Sequence, residues 1–215
     1  MGRLRKNHFF EQKLFNNKDY YINAPKSYKG FWKEFIFKNN NPIEIEIGSG
    51  KGTFIFQKAL KNPNINFVAI DKYPTILSKL INKLENIEKI NNLKIIDIDA
   101  KMLENVFGEN EISKIYLNFL DPWPKKHHEK FRVTNPHFLN IFLKLLSTKG
   151  KIEFKTDNID FFNYSLKVIR ELNLNLIFGT KNLYNLDNFD NVQTEYEKKW
   201  IKKGYKINKL IIMKK

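Results

Sequence analysis

The run Ile43-Glu44-Ile45-Glu46-Ile47-Gly48-Ser49-Gly50-Lys51-Gly52 decides how the rest of the chain is read. Apolar and acidic residues alternate over its first five positions, which predicts a strand. Glycines follow at every second position. They let a backbone turn sharply and come close to a ligand. The spacing G-x-G-x-G differs from the G-x-G-x-x-G of a dinucleotide loop, and no Gly-Lys-Ser/Thr stands at the offset of a Walker loop. Residues 52–60 then read as a helix. The plain alternative is that 48–52 is only a tight strand-to-helix turn.

Downstream the alternation continues. Strands are expected over residues 66–71, 93–98, 114–120 and 150–156, with two more near 174–179 and 206–213. Residues 73–90 carry Ile76, Leu77, Leu80, Ile81, Leu84 and Ile87 at helical spacing, and 136–146 opens on Pro136, which suits a first helical turn. Residues 158–172 form a further helix capped by Asp157 or Asn158. A last helix lies around 195–202. Upstream, 27–37 reads as a short helix with Phe31, Trp32 and Phe35 on one face, and 1–21 as a polar, basic, mobile arm. Such alternation implies an α/β protein with a mainly parallel sheet covered on both faces. Ligands bind these sheets beyond the carboxyl ends of the strands, where the strand order reverses.

Those strand ends carry acidic groups. Asp71 stands about twenty residues past the glycines, where a carboxylate can accept both hydroxyls of a ribose. Asp99 and Ala100 follow the third strand and can meet an adenine edge. Glu46 precedes Gly48 by two positions, where it can pair an ammonium group. A carboxylate at this loop repels a pyrophosphate but suits the sulfonium and amino group of S-adenosylmethionine. Charge therefore favours that cofactor over NAD.

After the fourth strand comes Asn118-Phe119-Leu120-Asp121-Pro122-Trp123-Pro124-Lys125-Lys126-His127-His128-Glu129-Lys130-Phe131-Arg132. Two prolines fix the backbone around Trp123. Asp121 can accept hydrogen bonds from a base edge or from the cofactor. Trp123 can stack on a base or close the core beneath it. Lys125, Lys126, Lys130 and Arg132 are natural phosphate contacts; the bland alternative is a solvated basic loop. His127, His128 and Glu129 lack the spacing of a metal site, and no metal is expected.

The chain has 215 residues, enough for one domain with terminal additions. It has no cysteine, which excludes disulfides and thiolate metal sites. No apolar run is long enough to span a bilayer, and none follows the early basic residues as in a secretory leader. A cytoplasmic location is expected. Lys and Arg number 38 against 23 Asp and Glu, a net charge of +15. Phosphates reward such an excess through counterion release. Abundant Lys, Asn and Ile also fit a genome rich in A and T, so part of the excess is compositional.

Four stretches, taken in order, resemble the bacterial tRNA (guanine-N7-)-methyltransferase family: Glu46 to Gly52, Asp-Pro-Trp-Pro-Lys from Asp121, Lys-Thr-Asp-Asn from Lys155, and Thr-Glu-Tyr-Glu from Thr194. They span nearly the whole chain, and Arg3-Leu4-Arg5 is similar to that family's basic N-terminus. The resemblance implies a class I S-adenosylmethionine-dependent, Rossmann-like methyltransferase fold. Its sheet is mostly parallel and seven-stranded, with helices on both faces and one antiparallel edge strand. The expected division is a basic arm over residues 1–26 and a methyltransferase domain over 27–215. The implied cofactor residues are Glu46, Asp71, Asp99 and Asp121, with Gly48, Gly50 and Ala100 beside them. The implied substrate residues are Lys125, Asp157, Thr194, Glu195, Tyr196 and Glu197. Asp71 stands where a longer Glu is common, and Leu120 replaces a proline before Asp-Pro-Trp.

The implied reaction methylates N7 of the variable-loop guanosine, position 46, of tRNA. N7 has an exposed lone pair, so no general base is needed. Rate then comes from proximity and alignment and from carboxylates near the developing positive charge. Asp121, Asp157 and Glu197 are the catalytic candidates, Asp157 and Glu197 on the guanine's donor edge. Transfer RNA is the expected partner, with no membrane and no obligatory protein partner, the chain being a monomer or homodimer. Two rival readings remain: an amino-methyltransferase acting on another RNA or DNA base, and a non-enzymatic RNA-binding module.

Overall fold

The computed structural model describes residues 7–187 and 191–214; Arg3 and Arg5 lie outside the described residues. Among the described residues seven strands form one sheet: β1 (Ile43–Ile47), β2 (Asn66–Ile70), β3 (Leu93–Ile96), β4 (Ile112–Asn118), β5 (Leu146–Thr156), β6 (Asn175–Thr180) and β7 (Asn208–Met213). Their order is β3-β2-β1-β4-β5-β7-β6. The first five strands pair in parallel, and β7 runs antiparallel to both β5 and β6. The antiparallel strand is therefore not at the edge, as expected, but one place in. Burial explains the swap. Leu210 and Ile212 of β7 are buried, whereas Leu176 and Ile177 of β6 are 38% and 42% exposed, which an edge strand tolerates.

Among the described residues six α-helices accompany the sheet: α1 (His8–Asn16), α2 (Thr53–Lys61), α3 (Pro74–Leu84), α4 (Pro136–Leu145), α5 (Ile159–Glu171) and α6 (Glu195–Ile201). β1 shows why its sequence alternates. Ile43, Ile45 and Ile47 pack into the core shared with Phe142 and Phe161. Glu44 and Glu46 point to the other face, where each carboxylate is met: Tyr116 Oη donates to Glu44 at 2.6 Å and Asn118 Nδ2 to Glu46 at 2.9 Å. On that face Phe54, Leu77 and Leu80 of α2 and α3 form a second core.

Two upstream readings change. Residues 8–16 of the expected mobile arm form α1, capped by Asn7, whose side chain accepts from the Phe9 N–H at 3.1 Å. Leu14 is wholly buried, and Tyr21 bridges Ile95 of β3 while its hydroxyl donates to Asp97 at 2.6 Å. The expected helix over 27–37 becomes a 3-10 turn (Pro25–Tyr28) and a π-helical turn (Trp32–Phe37). Its aromatic face splits. Trp32 is buried, donating to the Val106 carbonyl at 2.8 Å, while Phe31 and Phe35 are exposed. Among the described residues no helix is long and apolar enough to cross a membrane.

Candidate functional site

The strand order reverses between β1 and β4, which lie side by side with Ile47 opposite Leu117. Two cavities open beyond their carboxyl ends, of about 520 and 460 Å³. They share Gly48, Ile76 and Phe119.

The first cavity is walled by Asp71, Asp99, Ala100, Asp121 and Trp123. Gly48 sets its floor at φ +71°, and a Cβ there would lie 2.2 Å from Leu120 Cδ2. The positive φ favours glycine, and a side chain there would also push the Leu120 methyl aside. The Gly50 N–H donates to Asp71 Oδ2 at 3.0 Å and the Tyr73 N–H to Oδ1 at 3.1 Å. These bonds fix the carboxylate, although burial still raises its pKa. Asp99 caps the 3-10 turn that follows, accepting from the Lys101 N–H at 3.0 Å. Asp121 is exposed at the rim.

Trp123 takes φ +44° and packs on Phe131, ring centroids 5.3 Å apart, so it forms cavity wall. Arg132 locks this loop. It is 7% exposed, donates Nε to the Pro122 carbonyl at 3.0 Å and Nη2 to that of Trp123 at 3.1 Å, and lies over the Tyr164 ring at 4.3 Å. Its expected phosphate contact is thereby corrected: a guanidinium spent on loop carbonyls is not offered to RNA. Lys125, Lys126 and Lys130 are exposed.

The second cavity is lined by Glu46, Gly50, Thr53, Asn118, Thr194 and Tyr196, among others. Glu46 is 2% exposed, and burial pushes its carboxyl up to about 8 against the opposing Asn118 hydrogen bond and Lys155 charge. Its Oε2 has no hydrogen-bond partner among the described residues. Such a group awaits a donor. Thr194 and Glu197 form a reciprocal capping box that starts α6. Glu195 clamps this start across the cavity mouth. It accepts from Thr53 Oγ1 at 2.7 Å and pairs Lys51 at 2.8 Å and Lys83 at 3.3 Å. The Lys51 and Thr53 hydrogen bonds bring its carboxyl down to about 2.

Glu197 does not line either cavity. It is wholly buried, paired with Lys155 Nζ at 2.7 Å and accepting from Tyr184 Oη at 2.8 Å and Asn191 Nδ2 at 2.7 Å. Its expected place on the guanine's donor edge gives way to an internal one, because its oxygens are already occupied. Tyr196 reaches the second cavity from α6, beside Glu195 and Lys199. Its ring lies 5.1 Å from Phe119 and its hydroxyl donates to Asp157 Oδ2 at 3.2 Å. Asp157 stands beyond that hydroxyl, on a third cavity. Its carboxylate is not a cap: Asn158 takes that task at α5, accepting from the Phe161 N–H at 2.8 Å.

Sequence reasoning missed Asn118, Thr53 and Lys155. Asn118 was signalled as the one polar residue closing an apolar strand. Lys155 opens the Lys-Thr-Asp-Asn run, but its role was not legible there: its partner lies 42 residues away.

The family described as "Putative methyltransferase" matches residues 40–210. A protein of Malacoplasma penetrans named tRNA (guanine-N(7)-)-methyltransferase is 64% identical over 214 residues, covering 99% of this chain and 97% of its own length. One of the same name from Listeria innocua is 48% identical over 190 residues, covering 88% of each. Among solved structures, an antibiotic-related methyltransferase matches with TM-score 0.63 at 17% identity, over 89% of this chain and 94% of its own. The 16S rRNA methyltransferase KamB matches with TM-score 0.64 at 12% identity, over 84% and 91%. At such identities these two bear on the fold alone, which is that of a methyltransferase. The two relatives, matched along nearly the full chain, carry more: this chain belongs to the tRNA (guanine-N(7)-)-methyltransferase family.

Proposed function

We propose that this chain transfers the methyl group of S-adenosylmethionine to N7 of the variable-loop guanosine of tRNA. The observation that carries the donor half is Glu46, a buried carboxylate with one unpartnered oxygen beside a glycine-lined cavity. The substrate half is supported by the relatives' shared name.

The residues fit this cofactor. Glu46 offers its free oxygen to the ammonium group. Asp71, fixed by two backbone N–H groups, keeps lone pairs for ribose hydroxyls. Asp99 and Ala100 line the same cavity as Asp71 and would meet the adenine edge, and Gly48 turns the chain at the cavity floor. When bound, S-adenosylmethionine supplies an electrophilic methyl group on a sulfonium.

The chain's own part is orientation and charge. Guanine N7 needs no proton removed, so no side chain has to act as base. The cavities meet at Gly48, Ile76 and Phe119, and a group seated in one is presented to the other across that seam. Tyr196 and Asp157 hold the guanine, and the Asp121 carboxylate at the rim offsets the charge that develops on the base. Glu197 sets the position of Tyr196 from within the fold, and Glu195 does so from the cavity mouth, where it would also face the substrate. Lys125, Lys126 and Lys130 meet phosphates.

The test is incubation of unmodified tRNA with labelled S-adenosylmethionine, followed by nuclease digestion and mass spectrometry. The expected label is 7-methylguanosine in the variable loop. Asp157→Ala is expected to lower turnover at saturating tRNA about a hundredfold or more. Label on an exocyclic amine, or full turnover in the variant, would sink the respective half of the assignment.

A further inference from the structure

The functional edge of the sheet does not end at Asp157. The register sets Thr156 of β5 opposite Asn208 of β7, and Thr180 of β6 opposite Lys209. The start of β7 and the end of β6 therefore reach the same edge as the ends of β1, β4 and β5. There a cavity of about 610 Å³ is lined by Asp157, Ile159, Lys181, Lys203, Tyr205 and Lys206, with Gly204 and Asn208.

Its chemistry is strongly one-sided. Lys181, Lys203 and Lys206 are exposed, and no ion pair holds any of them among the described residues. Asp157 is the one carboxylate in the described lining, and it already accepts the Tyr196 hydroxyl. Lys203 Nζ lies 5.0 Å from the Trp200 ring. The turn carrying Lys203, Tyr205 and Lys206 runs through Gly204 at φ +80°, which favours glycine. Tyr205 stands edge-on to Trp200 at 4.4 Å yet is 51% exposed. Three unneutralised ammonium groups and a supported aromatic ring around one hollow are the parts of a single-strand nucleotide site.

We propose that this cavity is a second RNA subsite, holding a nucleotide that flanks the target guanosine. The lysines take its phosphodiester and Tyr205 stacks on its base. The inference rests on the reading that RNA is the substrate, and it extends that reading to the chain's path. Continuity favours a flanking nucleotide over an unrelated anion. Tyr196 lines the methyl-transfer cavity and bonds Asp157, which lines this one, so the two hollows share a wall. A base splayed into the first leaves its neighbour at the second.

The test compares the Lys181→Ala/Lys203→Ala/Lys206→Ala protein with wild type and with a control triple, Lys29→Ala/Lys61→Ala/Lys151→Ala, of equal charge. Unmodified tRNA transcript is the probe. KM for tRNA is expected to rise about tenfold while kcat stays near wild type. The slope of log binding constant against log salt, from filter retention, is expected to fall by about one or more. Cofactor affinity and melting temperature are expected to stay put, and Tyr205→Phe to keep the affinity that Tyr205→Ala loses. A site triple with wild-type KM and slope overturns the proposal. So does a control triple that lowers both as much, since charge would then act diffusely. Filter retention needs no methyl transfer. A wild type that binds tRNA with this lysine dependence but transfers nothing upholds the subsite and removes the assigned reaction. Normal methylation with an unaffected triple removes the subsite alone.

Discussion

At the scale of single residues, Glu46 joins sequence to function most directly. Its alternation with isoleucine was enough to place it on a strand and off the main core. Its environment was not legible, because that depends on Asn118 from a neighbouring strand and on how deeply the fold buries the carboxylate. Burial raises its carboxyl from an ordinary 4.5 to about 8. The sign follows. In the unliganded fold Glu46 keeps its proton where the unfolded chain has lost it, so this group favours folding below 4.5. That contribution is lost as pH rises through about 8. A cationic ligand reverses the preference and expels the proton. Cofactor affinity should therefore climb between about pH 6 and 8, by no more than about tenfold per unit. Calorimetry in buffers of different ionisation enthalpy should register the released proton. Glu46→Gln should flatten both responses relative to wild type. An equal pH slope in the two proteins would assign the effect to the ligand's own amino group. Arg132 shows the opposite limit of residue-scale reading. It follows a lysine-rich loop and looks identical in kind, yet it alone is buried against carbonyls. Only the folded course of the loop separates it from its neighbours.

At the scale of elements, α6 is a short helix held by its first turn. Glu195 ties it to Thr53 of α2 and Lys83 of α3, and Glu197 ties it to β5 through Lys155. The helix holding Glu197 was legible in the sequence around residues 195–202. That its glutamate faces inward to a lysine was not, since a lysine inside a strand more often marks a solvated face. Lys155 Nζ also lies 5.1 Å from the Phe54 ring and 5.8 Å from that of Phe119. Burial draws its pKa down and Glu197 opposes this. A buried pair adds little stability beyond an apolar replacement, but removing one partner strands the other charge. Lys155→Met is thus expected to cost about 3–5 kcal/mol in thermal or denaturant unfolding. Adding Glu197→Gln should recover part of that loss. In the single variant, with folded protein, KM for tRNA should rise more than the cofactor dissociation constant, because Tyr196 loses its anchor while Asp71 and Asp99 keep theirs. Additive losses in the double variant would show that the two side chains act separately.

At the scale of the whole molecule, the parallel strands were legible because each has a helix behind it and a polar or glycine-rich end. The place of β7 was not, because which of two late strands is buried depends on pairing rather than pattern. The N-terminal segment was also misjudged. Its composition is polar, and its anchoring rests on a few residues, Leu14, Tyr20 and Tyr21, too sparse to set up a helical stripe. Yet those residues close the sheet at its β3 end. Tyr21 bridges Ile95 and bonds Asp97, just upstream of Asp99. α1 packs along α3, where the Asn7 N–H donates to Thr75 Oγ1 at 3.2 Å and Thr75 in turn donates to Glu11 at 3.0 Å. Thr75 adjoins Ile76, which lines both cavities. The segment thus buttresses two walls of the cofactor cavity from outside. Removing residues 1–22 is expected to lower the melting temperature and weaken S-adenosylmethionine binding several-fold. Adding the cofactor should then raise the melting temperature of the truncated protein less than that of the full chain, since ligand stabilisation scales with affinity. Removing residues 1–6 alone leaves every one of these contacts in place. It should cost RNA affinity through lost positive charge and leave cofactor binding unchanged. If both truncations weakened the cofactor equally, the support would come from the basic terminus and not from α1.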